Sequence, residues 1–248
     1  MIYMKKILFL LSAFFLLESC TKKNDDSKKE ESSRFELNDP GSLNTEDINH
    51  LGMTDINSFE ELHDRLSSDQ KESIDLFELN GIDIHSFKGL EEFENLIIID
   101  LTDCLIESFE DVAFSKKAER GYHSLYCYNC SINNIDSISK MDTLSELKLS
   151  NCSFTNHSFI KLSEKLKDLH LESCPDYKKF FNVVYPNLQV LCLRDNNICQ
   201  KDELEKILEK CPAVEYIYLG DNPIYEQIKD NVIDMGKYSE MIFENCIQ

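Results

Sequence analysis

Cysteine and histidine are the residues of this chain most able to do chemistry, and their spacing decides which kind. Ten cysteines stand in 248 residues. In an exported chain that number first suggests disulfides. The stretch CYNC at 127–130 is a C-x-x-C, the spacing of a redox pair or of half a zinc site. His170 stands between Asp168 and Glu172, and 22 residues separate it from Lys148 on one side and Cys192 on the other. A cysteine, a histidine and an acid are the components of an activated nucleophile. Such a nucleophile also needs donors for the developing oxyanion, and no glycine-rich loop stands near to supply them. No phosphate loop, zinc spacing or pocketed carboxylate pair is visible either. The sequence is therefore read as non-enzymatic, with no catalytic residue, no metal and no cofactor.

What positions these residues is a recurring frame. LSELKLSNCSF at 144–154 returns as LKDLHLESCPD at 166–176 and as LQVLCLRDNNI at 188–198. The frame L-x-x-L-x-L-x-x-(C/N)-x-(I/L/F) starts at Ile74, Leu96, Tyr122, Leu144, Leu166, Leu188, Val214 and Tyr238, about eight units in all. Ile82 fills the Cys/Asn slot of the first unit, and Asp176 stands where the fifth expects an apolar residue. Within a unit, Leu147 and Leu149 alternate as a short strand with one face inward does. One unit has too little apolar surface to fold alone, so units stack and their strands form one parallel sheet. The stretch 132–144 keeps apolar residues at three-residue steps, which suits a 3₁₀ turn. Leu204, Ile207, Leu208 and Cys211 make the apolar stripe of a helix over 200–211.

This pattern resembles the leucine-rich repeat family and covers residues 74–248. The resemblance implies an α/β solenoid, with a curved parallel sheet on the concave side and short helices or turns on the convex side. It also implies a role for the slot held by Cys104, Cys130, Cys152, Cys174, Asn196, Asn222 and Cys246. In the family this slot turns inward after the strand and bonds the backbone of the turn. Asparagine does that well; a buried thiol does it weakly while packing as a small hydrophobe. In-register parallel side chains point the same way, which fits a disulfide's dihedral poorly, so a ladder of free thiols is expected. Cys127 and Cys130 of the C-x-x-C both fall on core-facing positions, whereas Cys192 falls on an outward one. Cys199 and Cys211 flank the 200–211 helix, and a disulfide between them stays open.

The outward positions define the candidate binding face. Its middle column runs through Glu78, Asp100, Tyr126, Lys148, His170, Cys192 and Tyr218 to Ile242; Tyr128 and Arg194 lie in the column on one side, and Tyr216 in the column on the other. Tyrosine and arginine are common anchors of protein interfaces, which makes Tyr126, Tyr128, Lys148, His170, Arg194, Tyr216 and Tyr218 the candidate ligand-binding residues. The net charge of −20 argues against nucleic acid and against charge-driven binding to anionic membranes.

The first residues read as a targeting signal rather than fold. A basic start, MIYMKK, precedes the apolar run ILFLLSAFFLL at 7–17, which is short for a bilayer span, and then LESC. This order is similar to a bacterial lipoprotein signal, and the resemblance implies lipidation of Cys20, with Glu18 a departure from the small residue usual there. The expected organisation is a signal peptide over 1–19, a lipidated and charged tether over 20–43, an N-terminal helical cap over 44–73 and the repeat domain over 74–248. Ser58 and Glu61 read as the capping box of the cap helix. Together these imply an envelope protein, held to the membrane through its N-terminal lipid, in the outer membrane or at the cell surface, with a periplasmic site also open. Its concave face would bind a protein, in adhesion or host interaction. An envelope-structural or assembly role, contacting glycan or other envelope components, is the alternative.

Overall fold

The computed structural model describes residues 36–112, 114, 123–155, 160–162, 164–230, 235, 238 and 242–244. Cys20, with the residues expected to form a signal segment, and Cys246 lie outside the described residues. The fold is α/β and rests on two parallel sheets, between which the chain divides its strands. β1 (Ser42–Asn44), β3 (Leu76–Asn80), β5 (Ile98–Thr102), β7 (His123–Tyr128), β9 (Leu144–Ser150), β11 (Asp168–Glu172), β12 (Val190–Cys192), β13 (Tyr216–Tyr218) and β14 (Ile242–Glu244) form a nine-stranded sheet in that order. Between the first six of these, the two-residue strands β2 (Asp55–Ile56), β4 (Asp83–Ile84), β6 (Leu105–Ile106), β8 (Ser131–Ile132) and β10 (Ser153–Phe154) build the second sheet. Residues 22 apart in the chain become cross-strand neighbours: Leu147 pairs with Leu169, and Leu169 with Leu191.

One backbone feature turns the chain at the end of each unit's strand. Gly81, Asp103, Asn129, Asn151, Ser173, Asp195 and Asp221 all have left-handed backbones, with φ between 50° and 66°. Six are glycine, asparagine or aspartate, the types that enter this region most readily. Their N–H groups reach across to the next strand, as Asp103 N donates to Tyr128 O and Asn151 N to Glu172 O, both at 2.9 Å. The residue after each of them is then carried inward, and these are the ladder positions. Cys104, Cys130, Cys152 and Cys174 donate weakly to the preceding strand's carbonyls, at Leu79, Leu101, Cys127 and Leu149, over 3.3–3.6 Å. Asn196 and Asn222 make the same bond, to Leu171 O at 2.6 Å and Leu193 O at 2.7 Å. They also accept: Cys174 N donates to Asn196 Oδ1, and Asn196 N and Ile198 N both donate to Asn222 Oδ1. All eight described cysteines are free, Cys199 and Cys211 included.

The core is one apolar cluster running between the sheets and under the connecting segments. Residues Ile135–Lys140 form a 3₁₀ turn, and α4 (Lys201–Leu208) is the helix whose Leu204, Ile207 and Leu208 are buried. At the first end of the sheet, the rings of Phe59 and Phe77 stack at 5.2 Å and those of Phe59 and Phe87 at 5.4 Å. Gly89 there is indispensable, since a Cβ at its φ of 90° would lie 2.3 Å from Glu60 N.

Four expectations are corrected. Residue 43 does not belong to the expected tether, because Ser42–Asn44 pairs with β3 and Leu43 is fully buried. This ninth strand covers the sheet edge and lies outside the frame. The Ser58–Glu61 box, on α2 (Phe59–Arg65), is half formed: Ser58 Oγ accepts from Glu61 N, but Arg65 holds the Glu61 carboxylate at 2.8 Å. Reciprocal boxes occur instead at Asn44–Asp47, on α1 (Thr45–His50), and at Ser67–Gln70, on α3 (Ser68–Ser73). In the last pair of strands, Tyr216 is opposite Ile242 and Tyr218 opposite Glu244, so Ile242 leaves the column of Tyr218. A slip of two residues keeps the inward–outward alternation, so apolar patterning alone cannot detect it. Finally, Cys192 is only 2% exposed. It sits on the outward parity, between the larger register neighbours His170 and Tyr218.

Candidate functional site

The site is built from the outward positions of β7, β9, β11 and β12. Parallel register sets Ser124, Glu146 and Asp168 in one row, Tyr126, Lys148, His170 and Cys192 in the next, and Tyr128, Ser150 and Glu172 in a third. Arg194 follows β12 and meets this last row from beyond the strand end.

Glu146 is the hub on one side. It accepts from Tyr126 Oη at 2.7 Å and from Ser124 Oγ at 3.2 Å, and it pairs with Lys148 Nζ at 2.9 Å. Lys148 Nζ also lies 4.5 Å from the centre of the Tyr126 ring, within cation–π range. Burial alone would raise the Glu146 pKa, but the bonds from Tyr126 and Lys148 outweigh it and hold the carboxyl below its ordinary value. Among the described residues Asp168, its register neighbour, takes no such hydrogen bond or ion pair. Burial, and then the charge of Glu146, push it up to about 6.

Arg194 is the hub on the other side. Its Nη1 lies 3.2 Å from Glu172 Oε1 and its Nη2 2.8 Å from Asp221 Oδ2, while its buried Nε–H has no partner. Between the hubs lies a hollow of about 220 Å³, lined by Tyr128, Lys148, Ser150, His170, Glu172, Cys192 and Arg194. His170 and Cys192 stand side by side within it. Burial, and then the Lys148 charge, bring the His170 imidazole down to about 4, and burial pushes the Cys192 thiol up to about 11. Both are neutral at pH 7, the opposite of the thiolate–imidazolium pairing that an activated cysteine uses. Among the described residues no group of three or more His, Cys, Asp or Glu could hold a metal ion.

Of the residues singled out in the sequence, Tyr126, Tyr128, Lys148, His170 and Arg194 are thus brought together. Tyr216 and Tyr218 lie on β13, beyond this cluster, and are half-buried. Ser150, Glu172, Asp221 and above all Glu146 belong to the site and were not singled out. Their signal was positional. Glu146 stands 22 residues after Ser124 and 22 before Asp168, which fixes it as their neighbour in a parallel stack. Among the described residues no helix is long and apolar enough to cross a membrane. Neither the protein-family models nor the curated proteins compared with the chain match it.

Proposed function

We propose that the protein is a leucine-rich repeat solenoid, anchored by a lipid on Cys20, whose open sheet face recognises another protein at the cell envelope. The observation that carries this reading is the hollow among Tyr128, Lys148, His170 and Arg194. There the two cations are each fixed by their own carboxylates, and aromatic and imidazole groups line the space between. A rigid, partly desolvated recess walled by tyrosine and arginine is the environment in which interface hot spots form. The frame of eight units supports the repeat assignment, and the order of basic start, apolar run and cysteine supports the anchor.

The test places a photo-crosslinking residue at Tyr128 and, as control, at Glu205 on α4, in cells expressing the full chain. The expected result is a discrete protein adduct from position 128 and none from 205. The affinity of that partner should fall by more than ~2 kcal/mol when Tyr126 and Tyr128 are both replaced by alanine. Adducts from 205 alone would put the recognition surface on the wrong side. For the anchor, Cys20→Ala should move the protein from the membrane to the soluble fraction, and unchanged partitioning would remove the lipid from the proposal.

A further inference from the structure

We infer that a second binding site, for a small anion carried on an apolar body such as an aromatic or aliphatic carboxylate, lies between the 3₁₀ turn at Tyr177–Asn182 and α4. The space there is about 520 Å³, within the few hundred to a thousand Å³ typical of small-molecule sites. Phe181 and Ile207, both almost wholly buried, give it an apolar floor. Lys178, Lys206 and Lys210 stand around that floor with Glu203 and Glu209, three cations to two acids, so in a chain of net charge −20 the lining is net basic here.

The state of these lysines gives the sign of the ligand. Lys178 is spent, its Nζ 2.7 Å from Glu203 Oε1, and Glu203 also accepts from the Tyr177 hydroxyl. Among the described residues the Lys206 and Lys210 ammonium groups make no ion pair or hydrogen bond, and the Lys206 charge reaches Glu203 only behind that of Lys178. Lys206 lies in the last turn of α4 and Lys210 two residues past its end, so two like charges line the same recess. Lysines near a helix C-terminus favour the helix. That does not account for two unpaired ammonium groups beside a recess with an apolar floor. An anion between them would relieve the repulsion, and its apolar body would cover Phe181 and Ile207. This site shares no residue with the hollow on the sheet face, so either can fail without the other.

The test titrates the full chain with phenylacetate, its neutral isostere phenylacetamide, and inorganic phosphate, followed by calorimetry and by amide NMR shifts. Phenylacetate should saturate and shift the 178–184 and 203–210 amides. Phenylacetamide and phosphate should each bind at least about tenfold more weakly, because each lacks one half of the recognition. Lys206→Gln with Lys210→Gln should cost phenylacetate about tenfold while leaving the melting temperature within a degree or so, as the Lys206 side chain is exposed. Equal binding of phenylacetamide, or of phenylacetate to the double variant, overturns the anionic half. Phosphate as tight as phenylacetate overturns the apolar half, and no saturation overturns both.

Discussion

Replacing Asn222 by alanine tests whether the inward slot holds the stack together. The Asn222 side chain is 3% exposed and makes five bonds to backbone. Its Nδ2 donates to Leu193 O, Leu219 O and Gly220 O, and its Oδ1 accepts from Asn196 N and Ile198 N. Alanine leaves both N–H groups without this acceptor and the Leu193 carbonyl without this donor. An orphaned buried donor costs about 1–3 kcal/mol, so two give roughly 3 kcal/mol once water reaches the half-exposed Asn196 amide. At about 2–4 °C per kcal/mol for a chain of this size, the melting temperature should fall by roughly 10 °C. Asn222→Cys isolates the accepting half. A thiol can still donate to Leu193 O, as Cys174 does to Leu149 O at 3.3 Å, but it is a poor acceptor for two N–H groups. It should cost about half as much. Urea unfolding, with the slope m compared between variants, gives both numbers. A loss below ~1 kcal/mol for Asn222→Ala at unchanged m would show that the ladder is incidental to the stack.

Cys152→Asn should be tolerated within ~1 kcal/mol, and Cys152→Asp should cost a few kcal/mol through a buried charge; equal effects in urea unfolding would contradict this. Ser173, the serine among the left-handed positions at φ 50°, should gain about 0.5–1 kcal/mol on replacement by asparagine, read as a rise in the urea midpoint. Asp168, raised to about 6, is paid for in stability at neutral pH: its contribution is fully present below pH ~4 and is lost as pH rises through 6. Asp168→Asn should therefore stabilise by about 1 kcal/mol at pH 7, discounted for the solvent that reaches a half-buried carboxyl, and by nothing at pH 4. A gain that persists at pH 4 would point to packing instead. Native thiol labelling should show its fast phase reduced by one equivalent in Cys199→Ser, because Cys199 is the exposed one of the eight described cysteines.

The parallel sheet was legible because its signal is redundant. Leu147, Leu169 and Leu191 each repeat one alternation, and an error in one unit is corrected by the next. The parts that escaped lack that redundancy. β1 carries a single fully buried apolar side chain, Leu43, inside a polar stretch, which is too little for any period to register. The second sheet consists of two-residue strands, and Ile84, Ile106 and Ile132 appeared in the frame only as one apolar position per unit. The left-handed column was written plainly enough, as Gly, Asp, Asn, Asn, Ser, Asp and Asp before each inward slot. Apolar periodicity does not carry it, because a turn is set by the backbone tolerance of polar residues.

The site was legible as a set of positions and not as a set of bonds. Parity alone puts Tyr126, Lys148 and His170 on one face, since a side chain two residues on returns to the same side. Which acid each cation holds depends on reach along a strand, as Lys148 takes Glu146 two residues before it, and across strands, as Arg194 takes Glu172 and Asp221, and that is a property of side-chain length rather than of register. Lys148 could meet Asp100 or Asp168 as readily as Glu146 on spacing alone. It goes to Glu146, whose longer side chain also meets the Tyr126 hydroxyl, and at Asp168 the charges of Lys148 and Lys167 are too weak to offset burial and the Glu146 charge. The same choice lets Lys148 lie over the Tyr126 ring and fixes one wall of the hollow. Inward positions of the stack can vary only where packing allows, as Cys and Asn do in the ladder. Outward positions are free of that constraint, so the face can be rewritten column by column while the fold beneath it stays the same.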